Sequence, residues 1–396
     1  MMQISPETQL FIREHSSDDV RTLALQAKKY PDINMPTAIT QIAGRQVAAE
    51  KIPSWREIEE IWYPKHLSLE QCSSEITARY KARLLQGDSL TDLTGGFGID
   101  CSFLATGFKS ATYVERQEEL CEIAAHNFPV LNLNHINIKN EDGVTYLQAM
   151  SPVDCLFLDP ARRNEHGGKT VAISDCEPNV AELEELLLQK ANRVMIKLSP
   201  MLDLSLALKE LKQTQEVHIL SVNNECKELL ILLGQTSPTE ISSHCVNLST
   251  KGTQEEQHFV FTREQEQCSE CTYTDSLETY LYEPNASLLK AGAFRSIAAA
   301  YPVRKLHPNS HLYTSDTFIE NFPGRIFRIV NQCSFNKKEV KENLADLKKA
   351  NVTVRNFPAT VAELRKRIHL AEGGDTYLFA STLNNGQKVL IRCEKV

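Results

Sequence analysis

The chain has 396 residues, of which 42% are hydrophobic and 24% charged, a composition of globular rather than disordered proteins and a length for two or three domains. No run of about 18 apolar residues marks a membrane span, Met1 to Asp18 lacks the basic start and apolar core of a secretory leader, and eleven cysteines without framework spacing point to reduced thiols and a cytoplasmic protein. The net charge of −8 argues against a nucleic-acid binder only as an average: residues 281–396 hold 18 Lys and Arg against 10 Asp and Glu, whereas residues 1–280 hold 25 against 41, so an acidic body carries a basic C-terminal block.

Residues 1–86 read as a helical lobe. Asp18–Lys29 and Ser73–Leu85 carry apolar residues at helical spacing, and Pro31, Pro36, Pro53 and Pro64 punctuate them. From residue 88 short apolar runs alternate with amphipathic helices such as Gln117–Asn127 and Val180–Lys190. The predicted strands are Leu90–Leu93, Thr112–Val114, Ile136–Lys139, Cys155–Leu158, Arg193–Leu198, Val217–Val222 and Leu229–Leu233. This alternation predicts parallel βαβ units in a doubly wound α/β sheet. The last connection is too short for a helix, which predicts an antiparallel final pair. Residues 236–278 are polar with a strand-like His258–Thr262 and read as a β extension or connector. Beyond Tyr280, after a stretch broken by Pro284, Pro302, Pro308 and Pro323, come a charged helix Lys337–Ala350, a strand Val352–Val354, a helix Val361–His369 and a hairpin of Asp375–Ala380 with Val389–Cys393. That order predicts a small α+β domain.

The strongest chemical signal is Thr91–Asp100, in which Asp92 ends an apolar strand and Gly95, Gly96 and Gly98 form a turn into a helix. Glycines let backbone approach a ligand closely, and a glycine turn opening a helix suits a nucleotide-like cofactor. The pattern is Gly-Gly-x-Gly, not the dinucleotide G-x-G-x-x-G. Glu115 ends the second predicted strand, where a carboxylate accepts ribose hydroxyls. Asp142 follows the third, placed to accept from an exocyclic amine. All three positions fall at the carboxyl ends of adjacent parallel strands, the ligand edge of such sheets. Taken singly, each acid reads first as a helix cap or a solvated loop charge, and it is the three in order that favour a cofactor site.

Asp92-x-Thr94-Gly95-Gly96-x-Gly98, Glu115 and Asp142 resemble the first three motifs of class I methyltransferases. The resemblance implies a Rossmann-like seven-stranded methyltransferase sheet binding S-adenosylmethionine. The glycine turn would meet the methionine end, with Asp92 holding the turn and water near the ammonium, Glu115 on the ribose and Asp142 on the adenine. After the fourth strand, Asp159-Pro160-Ala161-Arg162-Arg163 occupies the position that faces substrate in this family. Amine-methylating members carry Asn/Asp-Pro-Pro-aromatic there, whose polar groups steer the acceptor nitrogen, so catalysis is largely positioning. Here Ala161 replaces the second proline and Arg162 the aromatic, closer to the Asp-Pro-Pro-Arg of RNA uracil and related methyltransferases. No cysteine nucleophile motif accompanies it. The resemblance gives Asp159, Pro160 and Arg162 catalytic positions. Arg163 is a candidate for gripping a phosphate or stacking on a base, and Lys197, ending the fifth strand, is a charge that requires a partner or a substrate. Ser74-Glu75-x-x-Ala78 resembles the Pro-Glu-x-x-Ala stretch of trimethylguanosine synthase-like enzymes, and also reads as an N-cap with an acidic first turn.

Tyr282-Glu283-Pro284-Asn285, Leu364–Ile368 and Gly373–Phe379 resemble the THUMP-like domain of a bacterial group of methyltransferases, and with the upstream motifs the likeness spans nearly the whole chain. The implied plan is a helical N-terminal lobe over residues 1–86, a methyltransferase domain over 87–278, a small linker or ferredoxin-like subdomain over 279–324 and a THUMP-like α+β domain over 325–396. Arg365, Lys366 and Arg367, with Lys348, Lys349 and Arg355, form a candidate phosphate-contacting patch for RNA and read equally as a solvated helix face. The expected activity is methylation of a base in tRNA or rRNA. The alternatives are a protein or small-molecule acceptor, or a non-catalytic RNA-binding protein. Cys268 and Cys271 alone do not make a zinc site, the histidines are dispersed, and no metal is expected.

Overall fold

Apolar runs bounded by glycine or polar turns are too short for helices, and they form strands. The computed structural model describes residues 4–162, 172–236, 238–250 and 256–396. Its first eleven strands are β1 (Ser89–Asp92), β2 (Ser110–Glu115), β3 (Ile136–Asn140), β4 (Val153–Leu158), β5 (Ala161–Arg162), β6 (Cys176–Glu177), β7 (Ala191–Leu198), β8 (Thr214–Val222), β9 (Glu225–Gly234), β10 (Ser242–Leu248) and β11 (Glu256–Thr262). Nine of them make one sheet in the order β11-β10-β8-β9-β7-β4-β1-β2-β3. Strands β1, β2, β3, β4 and β7 run parallel, and β9 lies antiparallel to β7. The seven expected strands are all present, but the expected total of seven is corrected to nine. The polar stretch read as an extension or connector supplies β10 and β11, which pair antiparallel from Ser242–Thr262 to Leu248–Glu256. β11 coincides with the strand-like His258–Thr262, whereas β10, paired between β11 and β8, carries Ser242, Ser243, His244 and Asn247 among its apolar residues and so gives no apolar run.

The chain divides into two compact units, one of residues 1–215 with 229–238 and one of residues 216–228 with 239–396. In the first, the central strands are apolar on both faces, with Leu156, Val194, Met195 and Ile196 fully buried. Helices Glu118–Val130 and Val180–Lys190 form where expected, and Asn179 caps the second. The helical lobe comprises Pro6–Glu14, Val20–Leu25, Met35–Lys51 and Glu75–Ala82 with shorter turns between. It closes on the glycine turn through one cluster that includes Trp55, Tyr63, Phe97, Ile99 and Ile123. Two side-chain amides clamp the extended segment between lobe and sheet. The Gln41 amide donates to the Tyr63 carbonyl and accepts from its N–H, both at 2.9 Å. Asn127 does the same for Trp62, at 2.8 and 2.9 Å.

The second unit contains a seven-stranded sheet built from β12 (Tyr280–Pro284), β13 (Arg304–Lys305), β14 (Tyr313–Ser315), β15 (Gly324–Ser334), β16 (Asn351–Val354), β17 (Thr376–Thr382) and β18 (Lys388–Lys395). Its order is β13-β14-β12-β15-β18-β17-β16. Helices Lys337–Leu344 and Val361–Ile368 bury Leu344 and Leu364 against it. The first stops short of the expected Ala350, because residues 348–350 leave the helix to bond to Ala371. The buried Glu283 carboxylate binds Arg325 and, at 3.1 Å, Arg355. Among the described residues no helix is long and apolar enough to cross a membrane.

Candidate functional site

The turn after β1 is held by its own backbone and by the two neighbouring strands. Asp92 Oδ1 accepts from the Thr94 N–H at 3.0 Å, and the Gly95 N–H donates to the Val114 carbonyl at 2.9 Å. Gly95 lies so close to Tyr113 that an added Cβ would stand 2.2 Å from its ring. Gly96 and Gly98 take φ of +55° and +87°, a region glycine enters without steric cost. Gly98 is the N-cap of helix Ile99–Ala105. Glu115, at the end of β2, accepts from the Gly96 N–H at 2.9 Å and from the Gln117 N–H at 2.8 Å, so its carboxylate is fixed beside the turn. Asp142 is exposed and caps helix Gly143–Ala149, accepting from Val144 and Thr145.

The end of β4 is tied to the same turn. Thr94 Oγ1 accepts from the Asp159 N–H at 2.6 Å, and the Asp159 carboxylate pairs with Lys197 at the end of β7. Pro160 is buried. Ala161 and Arg162 then pair with Glu177 and Cys176 in a two-stranded ribbon. The Arg162 side chain and Arg163 lie outside the described residues. Arg365 is half-buried, whereas Lys366 and Arg367 are exposed on helix Val361–Ile368, with the Arg367 guanidinium 4.1 Å from the centre of the Phe335 ring. Lys348 and Lys349 are exposed on the chain that bonds to Ala371 just after that helix. Arg355 differs from its expected place in this patch, because it is engaged by Glu283.

Three residues of the site carried no assigned role in the sequence. Lys81, fully buried, lies 2.9 Å from Asp100 and donates to Ser73 Oγ at 2.8 Å. The Ser73 hydroxyl donates to Asp100 at 2.7 Å, and Lys197 stands 3.8 Å from the same carboxylate. Lys81, Asp100, Lys197 and Asp159 thus form a chain of two cations and two anions, the pairing that buried charges require. Glu75 turns elsewhere, accepting from the Ser54 N–H at 2.8 Å and pairing with Arg79. The available signal was position: Lys81 is three residues after the buried Ala78, on the apolar face of its helix.

Asp92 stands outside that balance. Its Oδ2 is buried without a hydrogen-bond partner among the described residues. Burial pushes its carboxyl well above the usual range, and the nearby Asp100, Asp159 and Glu115 add to the effect. Burial also raises Asp159, opposed by Lys197. Asp100 is likewise penalised by burial, but Lys81 and Lys197 overcome this and hold it below the usual carboxylate range. The arrangement therefore offers a buried acceptor oxygen in an anionic pocket beside open glycine backbone, which fits a ligand with a cationic or donor group. Replacing Lys81 with methionine is expected to take from Asp100 its nearer cation, leaving Lys197 at 3.8 Å, and to cost about 3 kcal/mol of stability. Chemical denaturation checks this, and adding Asp100→Asn is expected to recover part of the loss.

Residues 280–323 match a family of ferredoxin-like domains and residues 324–395 a THUMP domain-like family. Among solved structures, a protein of Porphyromonas gingivalis W83 assigned as a methyltransferase superposes with a TM-score of 0.87 and 34% identity over 100% of both chains. An rRNA methylase from Streptococcus thermophilus matches with a TM-score of 0.30 and 14% identity, over 40% of this chain and 93% of that one. SMU.1697c of Streptococcus mutans, assigned as a methyltransferase and crystallised with SAH, gives 0.30 and 14% over 40% of this chain and 96% of its own. No curated protein matches the chain.

Proposed function

Because the chain belongs to the bacterial group of class I S-adenosylmethionine-dependent methyltransferases that carries a C-terminal THUMP-like domain, we propose that it binds S-adenosylmethionine and transfers the methyl group to a base in tRNA or rRNA. The observation that carries the cofactor reading is the partnerless buried Oδ2 of Asp92 beside Gly95, Gly96 and Gly98. S-adenosylmethionine supplies a methyl group made electrophilic by its sulfonium, so the residues have to bind, orient and exclude water. Asp92 accepts, directly or through water, from the ammonium of the methionine end. Glu115, fixed by two backbone N–H groups, has lone pairs left for the ribose hydroxyls. Asp142 serves the adenine.

On the acceptor side, Lys197 engages Asp159 Oδ2 and leaves Oδ1 to accept from the N–H of a base. Pro160 presents its carbonyl beside it, and Arg162 and Arg163 contact the nucleotide. RNA enters through its family domain and its charge: Arg365, Lys366 and Arg367 contact phosphates.

The test is transfer of labelled methyl groups to total RNA from cells lacking the gene, with nuclease and protease digestion of the product. Label released by nuclease is the expected result. Label released only by protease would overturn the RNA acceptor, and RNA binding without transfer or cofactor affinity would overturn the enzyme. A Lys366→Glu/Arg367→Glu variant is expected to bind RNA at least about tenfold more weakly at moderate salt, with a salt dependence reduced by about two phosphate contacts.

A further inference from the structure

The second unit brings together histidines that are far apart in the sequence. Glu216 and His218 stand two residues apart on β8 and so share a face. The parallel register with β10 places His244 directly opposite His218. The antiparallel register with β11 sets His258 across from Val246, two residues from His244 and on the same face. One face of three adjacent strands therefore carries a carboxylate and three imidazoles.

The ligand atoms lie close enough to share one ion. One ligand atom from each of Glu216, His218 and His244 lies within 4.8 Å of the others. His218 Nε2 is 3.2 Å from Glu216 Oε2, and His244 Nδ1 is 3.2 Å from His258 Nε2. Ligands about 2.0–2.1 Å from a tetrahedral zinc ion are separated from one another by about 3.3 Å, so the Glu216–His218 edge of such a tetrahedron is already set. The Ser242 hydroxyl lies 3.0 Å from His244 Nε2, which orients the ring with Nδ1 turned toward His258, as outer partners of metal ligands do. The His218 and His244 rings stack with centres 4.3 Å apart, and those of His244 and His258 are 5.3 Å apart. His218 is buried while His258 is exposed, so the cluster has a floor and an opening to solvent.

We propose that Glu216, His218 and His244 bind a divalent transition-metal ion of the zinc class, with His258 or water completing the shell. Imidazole nitrogens with a single carboxylate select such ions over magnesium or calcium, which prefer all-oxygen shells. The ion would staple β8 to β10, and β11 as well where His258 completes the shell. It shares no residue with the Asp92–Asp159 site, so the proposal stands apart from the methyl-transfer reading.

The test is titration of the intact chain with Zn2+ and Co2+, in a Cys268→Ser/Cys271→Ser background that removes the closely spaced thiol pair, one exposed and one half-buried. One ion per chain is expected, with a cobalt spectrum that has d–d bands and no thiolate charge-transfer band. Thermal melting is expected to move upward on binding. His244→Ala is expected to weaken binding by at least about tenfold. No stoichiometric binding, a thiolate band, or undiminished affinity in His244→Ala would overturn the proposal. If that variant does not fold, Glu216→Gln on the half-exposed rim decides by the same criterion.

Discussion

Replacing Gly96 with arginine is expected to abolish binding of S-adenosylmethionine and S-adenosylhomocysteine while the chain stays folded. The site has room for a side chain, since the nearest atom to an added Cβ is the Thr94 carbonyl oxygen at 3.8 Å. The backbone cost of a left-handed arginine is about 1–2 kcal/mol, within the stability of an ordinary domain. The arginine side chain, however, would fill the space in front of the turn, beside the Glu115 carboxylate that accepts from the Gly96 N–H. Calorimetric titration of the wild type should show micromolar binding and the variant none. Gly95→Ala is the wrong control, because its methyl would collide with Tyr113 and damage the fold. A folded Gly96→Arg protein that binds like the wild type would remove the cofactor site from the glycine turn.

Asp159→Ala is the second large effect. Methyl transfer is expected to fall by at least about 100-fold, with cofactor affinity changed only a few-fold. The structure explains why binding should survive. Thr94 holds Asp159 through its backbone N–H, which alanine retains, so the turn keeps its tie to β4. Lys197 keeps Asp100 at 3.8 Å and is not stranded by the change. What is lost is the acceptor-facing carboxylate and its pairing with Lys197. Single-turnover transfer beside the cofactor titration separates the two terms, and wild-type turnover in this variant would show that Asp159 does not orient the acceptor.

The βαβ body was legible because its strands are continuous apolar runs and its helices carry end signals. Val180–Lys190 begins at the capping Asn179 and ends with a lysine in its last turn. The glycine turn and its three acids were legible as an ordered set at successive strand ends. Pairings that depend on register or on tertiary burial were not. Lys81 falls on the apolar face of its helix, but only the fold brings Ser73 and Asp100 against it. His218, His244 and His258 look scattered because sequence separation carries no information about which strands become neighbours. Arg355 counted as a patch cation, but a buried glutamate on another strand claims it.

The ferredoxin-like and THUMP-like segments meet at residues 323 and 324, yet the hydrogen bonding has no seam there. Strand β12 of the first pairs with β15 of the second from Tyr280–Arg328 to Pro284–Gly324. Gly324 approaches so closely that a Cβ would stand 2.2 Å from the Glu283 carbonyl oxygen, and the Glu283 carboxylate holds two arginines from the second segment. Cut at that point, one half would present an open strand edge and the other a buried anion without its counter-ions. The two segments are therefore a single heritable module: recombination that moved one without the other would deliver a half-sheet prone to aggregate, and the pair should melt in one cooperative transition.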